Sequence, residues 1–164
     1  MFGPALIPLD RVTAPYAALL LRVVLGSAFI AHGLFKVLVL TLSDTAAFFV
    51  AHGFPEWTVY PVVAAEVVGG AALVVGLYTR VVAIALVPVL LGAFTVHWPN
   101  GWYFGNPHGG WEYIAVLLAA LIVQAGLGDG FFAVANFRQR VPTDNAEAEP
   151  LARATRHTKQ AGDS

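Results

Sequence analysis

Hydrophobic positions fall in four long runs, at about residues 16–35, 58–77, 80–96 and 111–127, with turn formers and aromatics between them. A bilayer core of about 30 Å needs about 20 mostly apolar residues per helix. Backbone groups in lipid must pair within their own segment, so runs of this kind are helices. The pattern predicts an all-α fold, an integral membrane four-helix bundle. Tyr78-Thr79-Arg80 is the only connection between the second and third runs, and Gly76 is placed to end a helix. Pro88 interrupts the third run. Between the first two runs, Ser43 and Asp44 are cap residues for a short interfacial helix that ends at Gly53-Phe54-Pro55. Residues 1–137 therefore read as one membrane domain. Residues 138–164 read as a polar, disordered tail.

Composition agrees. Hydrophobic residues make up 58% of the 164 and charged residues 12%, where soluble domains carry about 25% charged residues. This excludes an ordinary soluble enzyme, and there is no basic face for nucleic acid. The chain has no cysteine, which excludes disulfides, iron–sulfur clusters, thiolate zinc and cysteine nucleophiles. The first run is read as a retained helix rather than a signal peptide, because Arg22 sits inside it and no basic segment leads into a compact apolar core. With four spans, Arg11, Arg80, Arg138, Arg140, Arg153, Arg156 and Lys159 share one side and only Lys36 lies on the other. The positive-inside rule then places both termini in the cytoplasm and the two long connections outside.

Two ionisable residues, Arg22 and Glu66, lie well within apolar runs. Each costs on the order of 2.5–3.5 kcal/mol near a helix centre. Their opposite signs predict that both turn inward and relieve each other, either as a lock between helices or as a ligand or proton site. If Lys36 and Glu56 are level, Glu66 lies about 15 Å deep and Arg22 about 21 Å deep, a gap an arginine can span. Gly26 and Gly33 share Arg22's side of the first helix. Glu66, Gly69, Gly70 and Leu73 form the matching stripe on the second. Small residues on such a seam let helices approach closely.

The outer end collects His32, Lys36, His97, His108 and Glu112. They read either as a polar cluster lining an outward cavity or as separate surface groups, Glu112 then serving the helix dipole. Trp57, Trp98, Trp102, Tyr103 and Trp111 fit an interfacial belt. No metal site is predicted, because the histidines are dispersed and HExxH is absent. No cofactor motif is evident either: a phosphate-binding loop, a dinucleotide fingerprint and a Ser–His–Asp order are all missing.

The order Arg22-x-x-Leu25-Gly26-x-x-Phe29-x-x-His32-Gly33-x-x-Lys36 resembles the first helix of the DoxX family. Glu66-x-x-Gly69-Gly70, Gly76-Leu77-Tyr78-Thr79-Arg80, His97-Trp98-Pro99-Asn100-Gly101 and Gly109-Gly110-Trp111-Glu112-Tyr113 resemble its later segments. The resemblance covers about residues 17–129. It implies a small multi-pass protein of the bacterial inner membrane, associated with quinone-linked oxidoreductase chemistry. It points to Arg22, Lys36, Glu66 and Glu112 as site positions. It makes quinone the cofactor to consider, and a redox protein or a second copy of the chain the partner. A scaffold without activity and a small-molecule carrier are the competing readings. The missing cysteines count against redox catalysis by the chain alone.

Overall fold

The computed structural model describes residues 13–134, and among these the only regular elements are helices. They are α1 (Ala14–Leu38), α2 (Leu42–Ala51), α3 (Glu56–Val75), α4 (Thr79–His97) and α5 (Glu112–Leu127). Arg11, Phe137 and the tail from Arg138 lie outside the described residues.

α1, α3 and α4, the last with a 3-10 turn to Asn100, are long and apolar enough to cross a membrane. α5 covers the run predicted for it but has 16 residues, about 24 Å at ~1.5 Å per residue, shorter than the about 30 Å of a bilayer core. α1 packs against α3 and α5, and α4 packs against the same two. Leu25 and Phe29, Leu73, Leu86 and Leu90, and Ile114 and Leu121 meet in one core.

Outside that core the distribution is the inverse of a soluble protein's. Leu20, Val24, Val68, Ile84, Val116 and Ile122 point outward and are exposed. Arg22, Thr45, Glu66, Thr79 and Gln124 are buried. Apolar side chains around the outside and polar ones within suit a hydrocarbon surround.

Local chemistry sets the helix ends. Pro15 occupies the first turn of α1, where its missing N–H costs nothing. Gly76 ends α3 in the left-handed region, at φ 75°. Leu77 N–H then donates to Ala72 O at 2.9 Å and Gly76 N–H to Leu73 O at 3.1 Å, a paired closure that only a positive φ permits. The cap of α2 differs from the expected Ser43 or Asp44. Thr41, at φ 67°, holds it, its Oγ1 accepting from Asp44 N–H at 3.2 Å. Asp44 acts instead through its carboxylate, which accepts from the Thr41 hydroxyl at 2.9 Å.

α3 is not uniform. It opens as a 3-10 turn, runs as α-helix over Val59–Ala64, widens into a π-helical turn over Ala65–Gly69, and returns to α-helix. π turns concentrate at functional positions because they cost backbone geometry and redirect a side chain. The one ionisable residue on this turn is Glu66.

Candidate functional site: two charged layers

Glycines set the register of α1 against α3. A Cβ on Gly26 would lie 2.5 Å from Gly70 O, and one on Gly70 would lie 2.7 Å from Gly26 O. A Cβ on Gly33 would meet Val67 at 2.7 Å and the Glu66 Cβ at 3.1 Å. One on Gly76 would overlap the Arg22 guanidinium. Residue 33 therefore faces 66 and 67, residue 26 faces 70 and 74, and residue 22 faces 76. Gly69 points elsewhere, toward the Leu86 side chain of α4 at 3.1 Å.

This register separates Arg22 from Glu66, which corrects the expected pairing. Lys36 and Glu56 are not level: Lys36 is in contact with Glu66, ten residues beyond Glu56. The estimate that brought Arg22 within reach placed α3 about two to three turns too deep. The two buried charges occupy separate layers.

In the layer at the loop end, Lys36 Nζ donates to both carboxylate oxygens of Glu66, each at 2.7 Å. The Glu66 side chain is 7% exposed and that of Lys36 is 20% exposed. Lys36 stands in the last turn of α1, where a cation also complements the helix dipole. Thr45 of α2 donates its hydroxyl to Lys36 O at 3.3 Å, bringing α2 over this end. His32, one turn before Lys36, interacts electrostatically with both members of the pair. Its exposed ring tilts against Tyr113 of α5, with centroids 6.0 Å apart. An ammonium has three N–H donors and the carboxylate takes two. One remains for another acceptor.

His97 and Glu112 serve the long loop instead. His97 Nδ1 donates to Gly109 O at 3.1 Å, and Glu112 Oε2 accepts from Phe104 N–H at 3.3 Å. Asn100 Nδ2 donates to His108 O at 3.2 Å and to Gly109 O at 2.9 Å. Gly110 sits so close beneath the carbonyls of Gly101, Trp102 and Tyr103 that a side chain there would collide with all three. Trp98 stacks on Trp111 at 5.2 Å and Trp102 meets Trp111 edge-on at 4.5 Å. The loop is thus a braced cap. Of the five outer-end residues grouped from the sequence, only His32 and Lys36 join the layer around Glu66. Among the described residues no group of three or more His, Cys, Asp or Glu could hold a metal ion.

The layer at the tail end is built on Arg22, 1% exposed. Its Nη1 donates to Asp129 O at 3.0 Å and its Nη2 to Phe131 O at 3.4 Å. Asp129 Oδ1 accepts from Thr79 N–H at 3.2 Å, fixing a carboxylate near the guanidinium. Gln124 Nε2 donates to Gly128 O at 2.8 Å. Phe131 N–H donates to Pro15 O at 3.1 Å, and its ring stacks on Tyr16 at 4.8 Å. Residues 128–131 thereby fold under the helices and bury Arg22. Neither these carbonyl acceptors nor the π turn at Glu66 came from the sequence. Gly128-Asp129-Gly130 does mark the turn that delivers the acceptors.

Comparison with known proteins agrees with this helical membrane architecture. The DoxX family model matches residues 17–98, from α1 through α4, a stretch containing Arg22, His32, Lys36, Glu66 and His97. A protein of Bacillus subtilis (strain 168) named "Putative oxidoreductase CatD" is 34% identical over 119 residues, covering 73% of this chain and 84% of that protein. No solved structure matches the chain. With half its length matched by the family model and most of it aligned to CatD, the chain belongs to the DoxX family of membrane proteins.

Proposed function

We propose that the Lys36–Glu66–His32 layer binds the polar head of a quinone, or a solute of similar size and polarity, and that the chain does so as the membrane subunit of a redox partner. The observation that carries this reading is the buried carboxylate on a π turn, held by an ammonium with one donor to spare. A quinone supplies a couple of two electrons and two protons. Lys36 Nζ can donate to a ring carbonyl oxygen. Glu66 and His32 can hold or pass the accompanying protons. With no cysteine in the chain, the partner is the source or sink of the electrons. The oxidoreductase name of CatD supports the same class of chemistry.

The proposal includes four spans, α5 being the fourth, in a bacterial cytoplasmic membrane with both termini inside. The exposed apolar residues Val116, Ile122 and Val123 on α5 support the fourth span, and the Lys/Arg distribution supports the orientation. A periplasm-active reporter is silent when fused after Ser164 and active when inserted at Asn106. The opposite pattern overturns the topology.

Binding is tested on protein in nanodiscs by titrating a short-tailed quinone and following tryptophan fluorescence. Wild type saturates. The Lys36→Met/Glu66→Gln double variant, which strands no charge, stays folded and binds at least tenfold more weakly. Equal binding by the double variant, or no binding above empty nanodiscs, contradicts the proposal.

A further inference from the structure

Among the described residues, three buried side-chain atoms have no hydrogen-bond partner in the protein: Arg22 Nε, Thr79 Oγ1 and Gln124 Oε1. All three belong to the tail-end layer. Arg22 and Thr79 both bond Asp129, and Gln124 bonds Gly128, the residue before it. The side chains come from three helices, α1, α4 and α5, and none is more than 1% exposed. Leaving one such group unpaired costs about 1–3 kcal/mol, so three around one turn call for a common partner.

The chemistry of the three atoms selects that partner. Arg22 Nε is a donor only. Thr79 Oγ1 donates or accepts. Gln124 Oε1 is an acceptor, and its amide cannot turn round, because Nε2 must face the Gly128 carbonyl. An anion would be repelled by Gln124 Oε1 and by the Asp129 carboxylate. A metal cation would be repelled by the guanidinium. A small neutral molecule that both accepts and donates satisfies all three. We infer that the tail-end layer is a binding site for an internal water molecule, which accepts from Arg22 Nε–H, donates to Gln124 Oε1 and takes Thr79 Oγ1 as its third partner. Three hydrogen bonds is the usual complement of a buried water.

The site also explains how residues 128–131 stay under the bundle. Arg22 holds the carbonyls of Asp129 and Phe131 through its two terminal nitrogens. The water fixes the guanidinium through the remaining one and ties it to α4 and α5. The turn is thus a latch with a solvent molecule as one of its pins. α1 and α3 approach so closely between this site and the Glu66 layer that a Cβ on Gly26 would collide with the Gly70 carbonyl, so the latch stands apart from the proposed quinone site.

Water-edited solid-state NMR on the full chain in lipid bilayers tests the assignment. Magnetisation from water reaches Arg22 Nε–H and the Gln124 amide in the wild type, although both side chains are buried. Thr79→Ser keeps the transfer and Thr79→Val loses it. Amide exchange at Phe131, whose N–H is bonded to Pro15, is about tenfold faster in Thr79→Val than in Thr79→Ser, reflecting one lost bridge. No transfer to Arg22 in the wild type, or transfer unchanged in Thr79→Val, overturns the site. Equal exchange in the two variants overturns the latch. If quinone titration fails while these results hold, the water site stands and the functional reading of Glu66 falls.

Discussion

The two charged layers solve the same physical problem in different ways. Arg22 is wholly enclosed, and its two terminal nitrogens donate to main-chain carbonyls of a turn that closes over it. Glu66 is satisfied by the side chain of Lys36, which remains one-fifth exposed. A charge held by backbone is fixed once the chain is folded, since moving it means moving the turn. A charge held by a long, flexible side chain can be released by a rotamer change, at a cost a ligand can offset. The difference teaches that burial alone does not mark a functional charge. Of the two, only the Glu66 carboxylate is held by a side chain that a rotamer change can withdraw.

Breaking the enclosed layer has the largest effect. In Gly76→Ala the new Cβ overlaps the guanidinium and meets a left-handed backbone that costs a non-glycine residue about 1–2 kcal/mol. Thermal unfolding in detergent is expected to show a loss of at least ~3 kcal/mol, or no folded protein. Gly126→Ala is the control, since a Cβ there meets nothing within 4 Å. It is expected to leave stability unchanged or raised by about 0.5–1 kcal/mol.

Breaking the exchangeable layer is asymmetric. Lys36→Met strands a carboxylate that is almost fully buried, at a cost of about 3 kcal/mol by analogy with buried pairs. Glu66→Gln costs only about 1 kcal/mol, because the amide oxygen still accepts from Lys36 and the lysine can extend toward the surface. Chemical or thermal denaturation ranks the two. Equal losses would mean the pair is as rigid as the Arg22 layer.

The seam between the layers responds in a fixed order. Gly26→Ala pushes against the Gly70 carbonyl at 2.5 Å, which only a backbone shift relieves, and costs about 1–3 kcal/mol. Gly33→Ala meets the Val67 methyl at 2.7 Å and costs less than Gly26→Ala. Gly69→Ala meets only the end of the Leu86 side chain, at 3.1 Å, and costs under ~1 kcal/mol. One unfolding series across the three variants reads this order, and a reversed order contradicts the register.

Much of this architecture is legible in the chain because hydrocarbon length is a strong constraint. The runs at 16–35, 58–77, 80–96 and 111–127 become helices whose ends differ by three residues or fewer. Gly76 as a terminator follows from the one conformation its position requires. The partners of the charges are not legible. Arg22 bonds backbone carbonyls more than a hundred residues away, and a carbonyl has no signature in the identity of its residue. Glu66 meets Lys36 because α1 and α3 slide to bring Gly26 beside Gly70, a register that helical periodicity leaves free. The π turn follows no residue pattern of its own, and Thr41 in a positive-φ cap runs against preference. His97 and Glu112 look like site residues in a linear reading because they share a depth with Lys36. The folded loop uses them for its own bracing.

A pair of double-mutant cycles tests most directly whether the charges form two independent layers. Lys36→Met with Glu66→Gln, and Arg22→Leu with Glu66→Gln, are each compared with their single variants by unfolding in one detergent. The first cycle is expected to show a coupling of about 1–3 kcal/mol, the double variant losing less than the sum of the singles. The second is expected to be additive within about 0.5 kcal/mol. Strong coupling of Arg22 to Glu66, with none between Lys36 and Glu66, would contradict the two-layer account.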